Sequence, residues 1–247
     1  MTMTPHNPLE GDRAELRLKL HDGSDEQISI IIVHKDRPEY LNILLQSIAV
    51  TSYNNNYEII VVDNASGKES QDFLKEIEGE VKVVRNDKNL YWSGACNRGA
   101  EAASKNSKYL IFLHCDVVII SHGWLDLLVN VAEAQGSGMV GVEMSSYYLE
   151  QNKVDFIQEW CCLMTRDCWA ECGPWIEELP LVGHAFMMTL KAQHNGYQPQ
   201  VMKNAICHHY RIFSVDINTH EKMTEAAMAT IPKLLRDVQS TPVRSSI

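Results

Sequence analysis

One carboxylate stands among apolar neighbours. Asp116 lies in the run Lys108-Tyr-Leu-Ile-Phe-Leu-His-Cys-Asp-Val-Val-Ile-Ile120, whose first half, Tyr109 to Leu113, has the length and composition of a strand buried on both faces. Such a strand ends just before Asp116, at the carboxyl edge where open α/β sheets place ligands. A carboxylate beside apolar side chains needs a partner, a metal ion or a base, unless it is a solvated turn residue. Polar loops also follow three earlier apolar runs: His34-Lys-Asp-Arg37, Asp63-Asn-Ala-Ser66, and Arg85 to Gly94. A simple turn and cap accounts for Ser66 but not for polar loops after three successive strands on one edge. Farther along, His208 and His209 stand side by side after a short apolar segment, as candidate metal ligands or proton carriers.

The elements that must hold these groups recur in a regular rhythm. Ser29-Ile-Ile-Ile-Val33 reads as a buried first strand. Asp36-Arg-Pro-Glu39 follows as a helix start, with Asp36 as cap and Glu39 closing the box, and Leu41, Leu44, Leu45 and Ile48 recur at helical spacing. The unit repeats as a strand from Tyr57 to Val62 and a helix begun by Ser66 and Glu69, with Phe73, Leu74 and Ile77 on its inner face. A third strand, Val81 to Val84, precedes a helix rich in small residues, Ala95 to Ala103. Trp124, Leu127, Leu128 and Val131 mark another helix, and Met139 to Val142 another strand. Strands alternating with helices specify a mostly parallel sheet with right-handed crossovers.

From about residue 144 the rhythm loosens. A strand is expected near Trp160 to Met164, a break at Gly173-Pro174, and a helix from Gly183 to Asn195 ended by Gly196. A short strand at Ala205 to Cys207 precedes a last helix from about Thr219 to Val238, which Pro232 can kink. Residues 1–27 read as a loose arm, with an edge-strand alternation at Leu16, Leu18 and Leu20, and 241–247 as a disordered tail. One α/β domain is expected over 28–240, with halves at 28–143 and 144–240.

A chain of 247 residues can bury the core of one such domain. Its net charge of −10 argues against an extended nucleic-acid surface. No apolar run approaches the ~20 residues of a transmembrane segment, and the N-terminus has no hydrophobic leader, so a cytoplasmic protein, or one acting at a membrane through a partner, is expected. Seven cysteines, an odd number, fit reduced thiols rather than a disulfide scaffold. Adjacent Cys161 and Cys162 chelate one ion poorly and no Cys-x-x-Cys pair is present, which weighs against zinc.

Taken together, the first strand with its polar loop, Val61-Val-Asp-Asn-Ala-Ser66, Asn89-Leu-Tyr-Trp-Ser-Gly-Ala-Cys-Asn-Arg-Gly99 and the strand ending in an acidic residue resemble the family 2 glycosyltransferases of GT-A fold. The likeness is greatest to their rhamnosyltransferase-like branch and covers roughly residues 28–210. The resemblance implies a GT-A-like (Rossmann-like) mostly parallel sheet flanked by helices, a nucleotide-sugar-binding first half and a less regular acceptor-side second half. It places Asp63 against the donor's nucleobase and His34 and Arg37 near the nucleotide. The Asn89 to Gly99 segment, Trp92 and Asn97 foremost, would line the pocket. The family's acidic metal motif reads His114-Cys-Asp116 here, so the metal role carries onto Asp116, with His209, or else His208, as a second ligand. Mn2+ or Mg2+ would neutralise the leaving nucleoside diphosphate, and a histidine neighbour tilts the choice toward Mn2+. The implied donor is a UDP-, GDP- or dTDP-sugar, and the implied acceptor a hydroxyl of a glycan, a lipid-linked intermediate, a protein or another molecule.

The catalytic base departs from the pattern. Inverting relatives carry an acidic pair about a dozen residues before the glycine matched by Gly196, and that position here is His184-Ala185. His184 is a competent base near neutral pH, and Glu177 or Glu178, after Gly173-Pro174, could swing in instead. The rival reading is a non-catalytic nucleotide-sugar or glycan binder that kept the fold and lost its base. Nucleotidyl transfer fits less well, because His34-Lys-Asp-Arg37 lacks the glycine-rich loop that chemistry uses. Trp160, Trp169 and Trp175 are candidates for stacking on sugar faces, or for core.

Overall fold

The first apolar run forms β1 (Ile28–His34), and the chain then alternates through α1 (Pro38–Thr51), β2 (Tyr57–Asp63), α2 (Lys68–Ile77), β3 (Lys82–Arg85), α3 (Tyr91–Ala102) and β4 (Tyr109–His114). The computed structural model describes residues 27–52, 56–134, 136–149, 152–202, 206–212 and 215–240. The alternation at Leu16 to Leu20, the expected tail and Ala205 lie outside the described residues. Gln27, counted with the expected arm, closes the sheet's amino edge, where its carbonyl accepts from the amides of Lys108 and Tyr109.

After β4 come β5 (Val117–Ile119), α4 (Trp124–Ala134) and β6 (Met139–Gly141). A hairpin of β7 (Met144–Leu149) and β8 (Asn152–Ile157) leads to β9 (Cys161–Thr165), α5 (Arg166–Cys172) and α6 (His184–His194). The chain closes with β10 (Gln200–Val201), β11 (Cys207–His209) and α7 (Ile217–Ser240), which contains Pro232. The main sheet runs β10-β6-β9-β4-β1-β2-β3. Its pairs are parallel except those of β9, which runs antiparallel to both β4 and β6.

Side chains on a strand alternate between faces, and the core divides accordingly. Ile30, Ile32, Ile111 and Leu113 pack with Leu41, Leu44, Leu45 and Leu128 on one face. Ile31, Leu110 and Phe112 pack with Ala95, Cys96 and Ala100 on the other. Fully burying each large side chain stabilises the fold by about 1.5–3 kcal/mol. The small residues of α3 let it lie close on β1: a Cβ at Gly99 would stand 2.3 Å from Cγ2 of Ile31.

Two expected helix caps are replaced by a contact between loops. Arg37, not Asp36, is the N-cap residue of α1, and Gly67, not Ser66, that of α2; neither helix has a side-chain cap. β1 and β2 pair in register up to His34 and Asp63, so the two following loops lie side by side. Asp36 (φ 49°) turns its carboxylate to accept from the Gly67 amide at 2.5 Å, and the Asp36 amide donates to Oγ of Ser66 at 3.0 Å. Helix α3 starts at Tyr91, four residues before the expected Ala95. Its first amides find partners elsewhere: Tyr91 donates to Oδ1 of Asn89 (2.8 Å), and Trp92 donates to the Pro180 carbonyl.

Candidate functional site

The carboxyl ends of β1, β2 and β4 meet α3 in a cleft enclosing about 640 Å³ of empty space, open solvent included. Lys35, Arg37, Asn64, Asn89, Trp92, His114 and Asp116 are among its lining residues, with Leu181 and Ile212 from the second half. Lys35 is tied by Nζ to the Asp36 carboxylate (2.7 Å) and the Ala65 carbonyl (3.0 Å). Asn64 donates to the Tyr91 carbonyl and accepts from Asn86 and the Leu90 amide. It braces the loop before α3 from below.

Asp116 is buried, 5% exposed, in the turn between β4 and β5. Strand β11 pairs antiparallel with β5, setting His209 opposite Val117 and hence beside Asp116. Nε2 of His209 lies 3.2 Å from Oδ1 of Asp116, Nδ1 of His114 lies 3.9 Å from the same oxygen, and the Ile212 amide donates to Oδ2 at 2.7 Å. Burial works to raise the Asp116 carboxyl, but the His209 ring and the Ile212 amide outweigh it and hold it below the ordinary range. Burial lowers His114 to about 4, so that ring is neutral and free to ligate near pH 7. Cys115 is pushed up to about 12, chiefly by burial, and stays a thiol.

The one ligand atom offered by each of His114, Asp116 and His209 lies within 4.8 Å of the others, and among the described residues these form the one such cluster. Two imidazole nitrogens and a carboxylate oxygen at these separations fit a shared divalent cation. Their orientation is built in. The indole of Trp160 stacks on His209 (centroids 4.8 Å, 21°) and is itself held through Nε1 by Glu143 at 2.7 Å. Trp92 packs on His114 at 4.3 Å.

The other expected residues are spread more widely. His208 is exposed on the opposite side of β11, against Tyr210, and does not join the cluster, because neighbours on a strand face opposite ways. His34 and Asp63 are buried and not among the cleft's lining residues; Oδ1 of Asp63 accepts from the Ser66 amide at 3.0 Å. Asn97 also stands away from that lining. Its amide donates to the Trp175 carbonyl and to Glu177, both at 3.0 Å, and its carbonyl accepts from the Trp175 amide, so it fastens the loop before α6. Glu177 is thereby held, and neither it nor Glu178 lines the cleft. Trp175 is core, edge-on to Phe112, and Trp169 packs on the same ring.

His184 opens α6, 2% exposed, after Gly183 in the left-handed region (φ 84°). It lies 6.4 Å from Trp92 and 5.7 Å from Trp175, ring to ring. Its Nε2 is 3.5 Å from Oε1 of Glu159, a residue that no motif singled out. Burial works to raise Glu159, but His184 and then His114 outweigh it, holding that carboxyl at about 2. One signal for Glu159 exists in hindsight. β9 is antiparallel to β4, and the His114 amide donates to the Trp160 carbonyl, so the residues just before β9 fall at the edge where the parallel strands end.

The model described as Glycosyl transferase family 2 matches residues 29–188. An uncharacterised protein of Sinorhizobium fredii, y4gI, is 33% identical over 125 residues, 49% of this chain and 13% of the relative. The O-antigen biosynthesis protein RfbC of Myxococcus xanthus is 26% identical over 154 residues, 58% of this chain and 12% of the relative. The chain thus spans about an eighth of the length of these curated relatives. Among solved structures, the mannosyltransferase PcManGT from Pyrobaculum calidifontis, in complex with GDP-Man and Mn2+, superposes with a TM-score of 0.64 over 90% of this chain and 67% of that one, at 12% identity. TarS of S. aureus gives 0.60 over 83% and 39%, at 15% identity. At these identities the likeness shows the fold, the GT-A arrangement of a mostly parallel sheet between helices.

Proposed function

The chain belongs to glycosyl transferase family 2, and from that premise we propose that it moves a sugar from a nucleoside-diphosphate donor to an acceptor hydroxyl, with inversion. The observation that carries this reading is the His114, Asp116 and His209 cluster at the edge of a cleft that also presents Lys35 and Arg37. Lys35 and Arg37, which line the cleft, supply positive charge to the diphosphate. His114, Asp116 and His209 would hold a divalent cation, which would supply charge neutralisation for the departing diphosphate. Two imidazoles in the donor set favour Mn2+ over Mg2+. The complexes of PcManGT with GDP-Man and of TarS with UDP support a GDP- or UDP-sugar as donor, and the kinship with RfbC supports a growing glycan as acceptor.

His184 takes the acceptor's proton. The acceptor oxygen forms its bond to the anomeric carbon as the bond from that carbon to the diphosphate breaks and its electron pair leaves with the diphosphate. Most of the rate then comes from positioning and charge stabilisation. The burial of His184 favours a second reading, a binder that holds a nucleotide sugar without turnover. Incubation with Mn2+ and UDP-, GDP- and dTDP-sugars, with nucleoside diphosphate release as readout, separates the two. Release that disappears in Asp116→Ala is expected. Saturable donor binding with no release in the wild type sinks the transferase reading.

A further inference from the structure

The start of α6 carries no carboxylate, yet one reaches it from another element. Glu159, in the turn between β8 and β9, points Oε1 at Nε2 of His184 across 3.5 Å, and its side chain is only 16% exposed. Neither ring nitrogen of His184 has a hydrogen-bond partner, and both are buried. An imidazole in that state has two tautomers of similar energy, and only one leaves a lone pair directed away from the carboxylate.

We propose that Glu159 is the positioning residue of the acceptor-side base: it holds the proton of His184 on Nε2, so that Nδ1 keeps the lone pair that receives the acceptor's proton. This role rests on the transferase reading. When the acceptor hydroxyl attacks, its proton passes to Nδ1, and the resulting imidazolium faces the Glu159 carboxylate. The 3.5 Å separation is long for a resting hydrogen bond and shortens as charge develops on the ring. The carboxylate remains ionised throughout, as it does behind the histidine of a serine-protease triad. The pair therefore supplies through two residues what an acidic side chain on α6 would supply through one.

The test is a double-mutant cycle on donor hydrolysis, with water as acceptor and GDP-mannose, UDP-glucose and dTDP-rhamnose as probes in Mn2+. Glu159→Gln is expected to lower kcat about 10- to 100-fold, with KM for the donor and Mn2+ affinity within about threefold of wild type. Glu159→Asp recovers part of the loss, and Glu159→Gln combined with His184→Gln is no slower than His184→Gln alone. Independent, additive losses overturn the proposal. So does a loss confined to KM or to Mn2+ affinity by electron paramagnetic resonance, which would assign Glu159 to donor or metal instead. If Glu159→Gln does not fold, Glu159→Asp in the same cycle decides between the same outcomes. A wild type that binds donor without releasing nucleoside diphosphate overturns the transferase reading, and this role falls with it; that failure needs no variant and is thereby distinguishable.

Discussion

Two histidine–carboxylate pairs each bring a ring near Trp92 or His114, and they differ in what surrounds them. In the pair of His209 and Asp116, both carboxylate oxygens are engaged and a third ligand, His114, stands 3.9 Å away. In the pair of His184 and Glu159, no third side chain among the described residues closes into a ligand cluster. The first arrangement suits a cation, which wants several donors converging on one point. The second suits a proton, which needs one acceptor and a carboxylate behind it. Similar residue types thus take different chemistry from their company.

The largest effect is expected where the first pair is broken. Asp116→Ala removes the shared ligand and should cost about 10³-fold in nucleoside diphosphate release, typical of losing a group that stabilises developing charge, together with Mn2+ binding by paramagnetic resonance. His184→Gln should cost about 10²-fold in kcat and leave Mn2+ binding in place. If both variants lose the metal, the two pairs are one site and the contrast fails.

A histidine outside both pairs serves as a control. His34 is buried, and burial lowers it from 6.5 to about 4 despite the nearby Asp63. Between those values the unfolded chain takes up a proton that the folded chain refuses. Its contribution is therefore intact above pH 6.5 and is lost as the pH falls toward 4, by about 2 kcal/mol at pH 5. Urea midpoints at pH 7 and 5 should differ less in His34→Phe than in the wild type. The smallest effect is expected from Glu143→Gln. Weakening the hold on Trp160 loosens His209 at one remove, lowering Mn2+ affinity about 10-fold with donor KM otherwise unchanged. A 10-fold fall in kcat at saturating Mn2+ would mean that Glu143 has a more direct part.

Much of the first half was legible because its strands are continuous apolar runs and several candidate site residues follow their carboxyl ends. The run Tyr109 to Leu113 and the position of Asp116 needed no more than that. The strand expected at Ala205 to Cys207 shifted to Cys207–His209, because pairing with Val117–Ile119 sets its register and pairing is invisible in one segment. The hairpin β7–β8 was missed for a similar reason. Its inward residues Tyr147, Val154 and Phe156 are half-buried against a cluster that includes Phe186 of α6 and Ala227 and Ile231 of α7, contacts that join distant parts of the chain. Glu159 follows that hairpin, so its place depended on topology, not on any local pattern. The family resemblance placed Asn97 in the pocket, and in the fold its hydrogen bonds run to Trp175 and Glu177.

Both imidazoles of the candidate metal cluster carry an indole against their rings, Trp92 on His114 and Trp160 on His209, out of only five tryptophans in the chain. The protein therefore contains its own optical reporter. A paramagnetic ion arriving between those rings should quench their emission, so titration of the unlabelled chain can be followed by intrinsic fluorescence. Replacing either indole by phenylalanine would tell which histidine the ion meets first.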